Sequence, residues 1–204
     1  MKEESFKFII ILFFYISNIC FSLENNIYSY DFVHVDVTPI EVSKNNIGIR
    51  SCKINNEINV FFDMEHWISN NLYFSGSLSP SSDNDINIIY NINFGYKTNL
   101  EFVFLKNIYF DLGYYSKRFE SDSQDDFKWK SFSLISDFHF KKIILLSSYT
   151  YAFNTYDNEK ESNTHLSINF IRTLGESLFI NFGVQIYDEN EIQTLPFISL
   201  NYKI

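Results

Sequence analysis

The sequence predicts an all-β fold: an antiparallel up-and-down transmembrane β-barrel of ten strands, with eight as the alternative. Three observations predict it. Apolar and polar residues alternate with period two in segment after segment. Beyond residue 22 there is neither a sustained helical period nor an apolar run long enough for a spanning helix. The chain also opens with the layout of an export signal.

That opening, "MKEESFKFIIILFFYISNICFS", carries Lys2 and Lys7, then an apolar run from Phe8 to Ile16, then a short polar stretch. Small residues at Cys20 and Ser22 suit cleavage after Ser22. The expected organisation is a signal peptide over 1–22 and a single barrel domain over 23–204. Lys2, Glu3, Glu4 and Lys7 cancel, so the mature chain keeps the formal charge of -9. Such an acidic chain is a poor partner for nucleic acid. Cleavage leaves Cys52 as the only cysteine, so no disulfide can form within the chain. A sheet closed on itself is another source of stability.

The alternation is dense. In "DINIIYNINFGYKT" the even positions Ile86, Ile88, Tyr90, Ile92, Phe94 and Tyr96 are apolar, whereas Asn87, Asn91, Asn93, Gly95 and Lys97 are polar or small. With 46 % apolar residues overall, six of six by chance has odds of roughly one in a hundred. The same parity runs through "IYFDLGYYSK" (Ile108, Phe110, Leu112, Tyr114), "SFSLISDFHF" (Phe132, Leu134, Phe138, Phe140), "THLSINF" (Leu166, Ile168, Phe170) and "SLFINFGVQIY" (Leu178 to Ile186).

Counted back from the C-terminus, strands are expected near 194–204, 178–187, 164–173, 143–154, 127–140, 108–118, 86–105, 72–79 and 58–68. The tenth is either 28–38 ("YSYDFVHVDV") or 47–54 ("IGIRSCKI"). Segment 86–105 is kept whole because its parity persists through Leu100, Phe102 and Phe104. The connections "LKN" (105–107), "KK" (141–142) and "LGES" (174–177) are short. Those at 79–85, 118–126, 154–163 and 188–193 are longer and mostly acidic. Short turns at one end and long loops at the other describe a meander closed into a barrel.

A soluble β-sandwich would alternate too. The polar face decides against it: Asn, Ser, Gly and Tyr with scattered Lys97, Glu101, Asp111, Lys117, Asp137 and Lys203 suit a packed, hydrated lumen. The final segment "PFISLNYKI" alternates Ile198, Leu200, Tyr202 and Ile204, as a barrel-closing strand does. With the signal peptide and "INFGYKTNLEFVFLKNIYFDLGYYSK", it resembles the small outer-membrane β-barrel proteins of Gram-negative bacteria, of the porin or OmpA-like kind. Two departures are a terminal Ile204 in place of Phe and a total of only 6 glycines. The resemblance implies a location in the cell outer membrane, with outer-membrane lipid and the insertion machinery as partners. It carries over no catalytic residue.

Chemistry-bearing motifs are sparse. His34, His66, His139 and His165 stand in no metal-ligand spacing. In "FDMEHW", Asp63 and Glu65 fall on the face opposite His66 if the segment is a strand, so the three cannot converge on one ion. Asp137 and His139 share a face and are expected to form a hydrogen-bonded lumen pair rather than a catalytic dyad. Cys52 reads as a half-buried free thiol. Trp67, Trp129, Tyr73, Tyr90, Tyr149 and Tyr202 are candidates for the two membrane interfaces. No nucleotide-binding or nucleophile-elbow fingerprint appears. The expected function is therefore a non-catalytic barrel, structural or weakly channel-forming, with no metal or cofactor; the alternatives are an outer-membrane barrel enzyme acting on lipid or peptide and a soluble periplasmic β-barrel binding protein. Any leak should be small and weakly cation-selective, because the loops are acidic.

Overall fold

The computed structural model describes residues 37–54, 57–80, 86–100, 102–119, 127–141, 143–156, 159–188 and 192–204, which form strands and turns and no helix. The expected signal peptide lies outside the described residues, as do His34 and most of 28–38.

Ten strands follow one another: β1 (Asn45–Ile54), β2 (Glu57–Trp67), β3 (Leu72–Pro80), β4 (Ile86–Asn99), β5 (Leu105–Phe119), β6 (Phe127–Phe140), β7 (Ile143–Tyr156), β8 (Glu159–Thr173), β9 (Leu178–Asp188) and β10 (Ile192–Lys203). Each pairs antiparallel with its sequence neighbours, and β1 pairs with β10 to close the barrel. The register β1–β10 runs from Asn46↔Lys203 to Cys52↔Phe197, so no strand edge is left open at the seam.

Side-chain direction follows the alternation. On β4, Ile88, Ile92, Phe94 and Tyr96 are exposed, while Ile89, Asn91, Asn93 and Lys97 are buried. The inward set on β6 is Trp129, Ser131, Ser133, Ile135 and Asp137, and the outward set includes Phe132, Leu134 and Phe140. Outward apolar residues continue around the wall through Ile49, Phe62, Leu78, Phe110, Tyr149, Leu166, Leu178 and Leu200. From Ile88 to Tyr96 the outer band covers about 26 Å of strand. At a tilt of roughly 40° that is about 20 Å of barrel height.

Of the two candidates for the first strand, 47–54 is the one that falls in β1 (45–54), and Val37 and Thr38 lie outside any strand. Two other expectations change. Segment 86–105 is not one strand: β4 ends at Asn99 and β5 begins at Leu105. Leu100 N donates to Lys106 O at 2.7 Å across the reversal, and β5 starts with a register shift against β6 between Leu105 and Asn107. Thus "LKN" opens β5 instead of linking two strands.

The acidic segments also hold more strand than expected. β7 runs to Tyr156 and β8 starts at Glu159, so most of 154–163 belongs to a paired hairpin. Pairing satisfies backbone donors and acceptors within the ladder whatever the side chains are, so polar sequence need not mean loop.

Candidate functional site

Among the described residues, the buried polar and titratable side chains converge in the barrel lumen. Here the inward side chains stack into three levels. Toward the end where β1 meets β2, Cys52, Phe61, Ile89, Tyr115, Trp129, Ala152, Tyr187, Leu195 and Phe197 form one buried apolar cluster. Among the described residues, eight of the ten strands contribute to it, all but β3 and β8. Cys52 is therefore fully rather than half buried, 3 % exposed among apolar neighbours.

Below that layer lies a belt of small polar residues: Ser75, Ser77, Asn91, Asn93, Ser131, Ser133, Ser148, Thr150, Ser167, Asn169 and Ser199 are all buried. They bond to one another across and along strands. Ser77 Oγ donates to Asn91 Oδ1 at 2.8 Å, Thr150 Oγ1 to Ser133 Oγ at 2.8 Å, and Asn201 Nδ2 to Ser199 Oγ at 2.8 Å. Inward glycines make room for these side chains. A Cβ on Gly183 would lie 2.1 Å from Asn169 Oδ1, and one on Gly95 would lie 2.1 Å from the Tyr73 ring.

The belt's strongest charge contact is a two-pronged pair. Arg50 Nε and Nη2 donate to Asp63 Oδ2 and Oδ1 at 3.0 and 3.1 Å, while the guanidinium stacks on Phe61 with 4.7 Å to the centroid. This geometry compensates two charges taken out of water. A polar cavity of about 20 Å³, room for one water, lies beside it, lined by Asn46, Asn181 and Asn201 among others.

At the short-turn end a second apolar level holds Trp67, Tyr73, Tyr109 and Ile135 on one side and Leu146, Ile171 and Phe179 on the other. Residues 37–44, which precede β1, close it as a strap. Val37 and Ile40 pack on the first group and Val42 on the second, so the strap bridges both. It is anchored by hydrogen bonds: Thr38 N donates to Glu65 Oε2 at 2.8 Å, and Trp67 Nε1 donates to Thr38 O and Glu65 Oε1, both at 3.0 Å. Val42 N turns back onto Pro39 O at 2.8 Å, and Lys97 Nζ lies 3.4 Å from Glu41 Oε1. Nothing in the alternation signalled this strap.

The residues singled out from sequence fall as follows. Lys97, Asp111 and Asp137 point inward and are buried, and Lys203 is half-buried. The side chains of Glu101 and Lys117 lie outside the described residues. Asp63 and Glu65 face the lumen while His66 faces out, with Nδ1 2.6 Å from Asn45 Oδ1. Of the interface candidates, Tyr90, Tyr149 and Tyr202 point outward. Trp67, Tyr73 and Trp129 do not: they are 2 %, 0 % and 2 % exposed inside the barrel. Their parity with Ser75, Ser77, Ser131 and Ser133 was the available signal.

Asp137 and His139 do meet, with Nε2 3.2 Å from Oδ2. The carboxylate is already an acceptor for Asn107 N and Asn107 Nδ2, both at 2.7 Å, and for Tyr109 OH. Glu41 brings a third potential ligand within 4.8 Å of this pair. Glu41 is matched by Lys97 and Asp137 by three donors, so the group acts as a clasp between strap and wall.

No family model matches the chain, and no curated protein does. Solved structures do. The KdgM porin in complex with disordered oligogalacturonate superposes with a TM-score of 0.53 at 10 % identity, over 78 % of this chain and 99 % of that one. The KdgM porin alone gives 0.50 at 10 % identity with the same coverage. Ail, the attachment invasion locus protein of Yersinia pestis, aligns over 78 % of this chain and 96 % of its own at 12 % identity, with a TM-score of 0.26. At such identities the likeness to the porin is one of fold: this chain is a closed ten-stranded antiparallel β-barrel, similar in fold to the KdgM porin.

Proposed function

We propose that the chain is a non-catalytic outer-membrane β-barrel protein whose lumen is sealed, so that it serves as a structural element of the membrane rather than an open pore. The reading includes export by a cleaved signal peptide over 1–22, and outer-membrane lipid and the insertion machinery as partners. One observation carries it. The closed sheet turns a predominantly apolar face outward, with Ile92, Phe94, Leu112, Phe132 and Leu200 between 44 % and 63 % exposed, and buries its Ser/Asn/Thr belt inside. A soluble protein inverts that arrangement, because large exposed apolar surface in water drives association. In a bilayer the same face is solvated by acyl chains, and closure satisfies every backbone group.

The test is fractionation and gel mobility. The mature protein is expected to travel with outer membranes, to need detergent to stay monodisperse, and to shift its gel migration on heating. Recovery as a concentrated, monomeric, detergent-free periplasmic protein would overturn the reading.

A further inference from the structure

The connection between β4 and β5 differs from the other turns at its end of the barrel. Phe102, Val103 and Phe104 are consecutive, and they are 63 %, 78 % and 57 % exposed. Side chains of both parities point away from the barrel, so the greasy surface belongs to the turn and not to either strand. The other connections at that end are "ISNN" (68–71), "KK" (141–142) and "LGES" (174–177), each with at most one large apolar residue.

The apolar turn is continuous with the outer band. Phe104 O accepts His139 N at 2.9 Å, which sets the turn beside the end of β6. There Phe104 stacks on exposed Phe140, with centroids 5.5 Å apart and planes 24° from parallel. Cations flank the same surface. Lys106 follows Phe104 by two residues, Lys141 follows Phe140 by one, and both are exposed. Lys141 occupies a left-handed position, φ 51°, which favours asparagine or glycine. Glu101 in the turn opposes these charges and Lys142 in the β6–β7 turn adds to them; both lie outside the described residues.

We infer that the β4–β5 turn, with Phe140, Lys106 and Lys141, is a docking site for an anionic phospholipid. The aromatic turn would enter the acyl–headgroup boundary, and the lysines would meet the phosphate. The inference rests on the membrane reading above and adds a lipid class and a place. Continuity with the apolar band argues for lipid over protein, because a bilayer that solvates Phe140 necessarily reaches Phe104. The flanking charge argues for an anionic headgroup.

The full mature chain, refolded into phosphatidylcholine vesicles with or without phosphatidylglycerol, tests it, with unfolding midpoint and retained lipid by native mass spectrometry as readouts. Wild type is expected to be stabilised by phosphatidylglycerol and to retain it. Lys106→Gln/Lys141→Gln should fold normally in phosphatidylcholine and lose roughly fivefold of the phosphatidylglycerol preference per lysine. Phe102→Ser/Phe104→Ser should lose retained lipid of both kinds. Lys128→Gln/Lys130→Gln, which alters exposed lysines toward the opposite rim, should change nothing. Equal retention of both lipids by wild type, or an equal effect of the Lys128/Lys130 pair, would overturn the site while leaving the barrel reading intact. Disulfide-crosslinked dimers of a Phe102→Cys variant in vesicles would overturn it in favour of a second copy. Failure of wild type to enter either vesicle would instead count against the membrane reading itself.

Discussion

Ile92 and Asn93 are adjacent on β4 and meet opposite surroundings: Ile92 is 44 % exposed on the outer wall and Asn93 is 1 % exposed inside. Ile92→Arg places a charge in hydrocarbon and is expected to cost about 2–4 kcal/mol near the midplane. From sequence alone, Asn93→Arg looks mild, since a hydrated lumen would accept a cation. The packed interior reverses that expectation. Asn93 Oδ1 already lies 2.5 Å from where a Cβ on Gly113 would sit, so a larger side chain has no space. Overpacking should cost about 1–3 kcal/mol. Urea unfolding in vesicles measures both, and an Asn93→Arg variant as stable as wild type would show the lumen to be open. Asp137 poses a related question of stability against activity. Asp137→Ala strands Asn107 N, Asn107 Nδ2 and Tyr109 OH. At about 1–3 kcal/mol for each buried group left unpaired, it should destabilise strongly. No ester or peptide hydrolysis is expected from wild type or variant, and turnover abolished by Asp137→Asn would restore the enzyme alternative.

Among the elements, the strands were legible and two of their limits were not. Period two assigns faces without reference to the partner strand, which is why Lys97, Asp111 and Asp137 could be placed inside before any geometry was known. It cannot choose between "YSYDFVHVDV" and "IGIRSCKI", which alternate equally well. Register chooses: with 45–54 as β1, Arg50 stands beside Asp63, and Asn46 to Cys52 reach β10. The end of β4 was hidden because apolar parity runs on through Phe104 and no glycine or proline marks the reversal. Trp67, Tyr73 and Trp129 were misplaced because an aromatic ring with a polar edge suits a membrane interface and a packed lumen alike. The strap was beyond the reach of periodicity altogether, since its stability comes from contacts with several distant strands. Glu65 is its main anchor, so Glu65→Ala should free Thr38 N and leave Trp67 Nε1 with one acceptor fewer. Residues 37–44 should then be cleaved by added protease while the strands stay protected. Unchanged protection of 37–44 would show that Val37, Ile40 and Val42 hold the strap by packing alone.

At the scale of the whole molecule the question is whether anything passes through. Two apolar levels lie in series along the lumen, separated by the Ser/Asn/Thr belt, and the strap reinforces the one at the short-turn end. A narrow apolar constriction excludes ions by dewetting, and barriers in series do not relieve one another. The weak cation leak that the acidic segments suggest therefore narrows to no conductance in planar bilayers. Removing one level should not change this. Trp129→Ala/Tyr187→Ala opens the first layer and leaves Trp67, Tyr73, Phe179 and the strap in place. Trp67→Ala/Phe179→Ala together with Glu65→Ala opens the second level and loosens the strap, and leaves Trp129, Tyr187 and Phe197 in place. Each variant should stay silent, and only their combination should conduct. Its current should favour cations, because Asp and Glu outnumber Lys and Arg 25 to 16, and that preference should fade as salt screens them. Stable steps from wild type would show that neither apolar level spans the lumen. Conduction by one of the two partial variants would show that the other level is not a barrier.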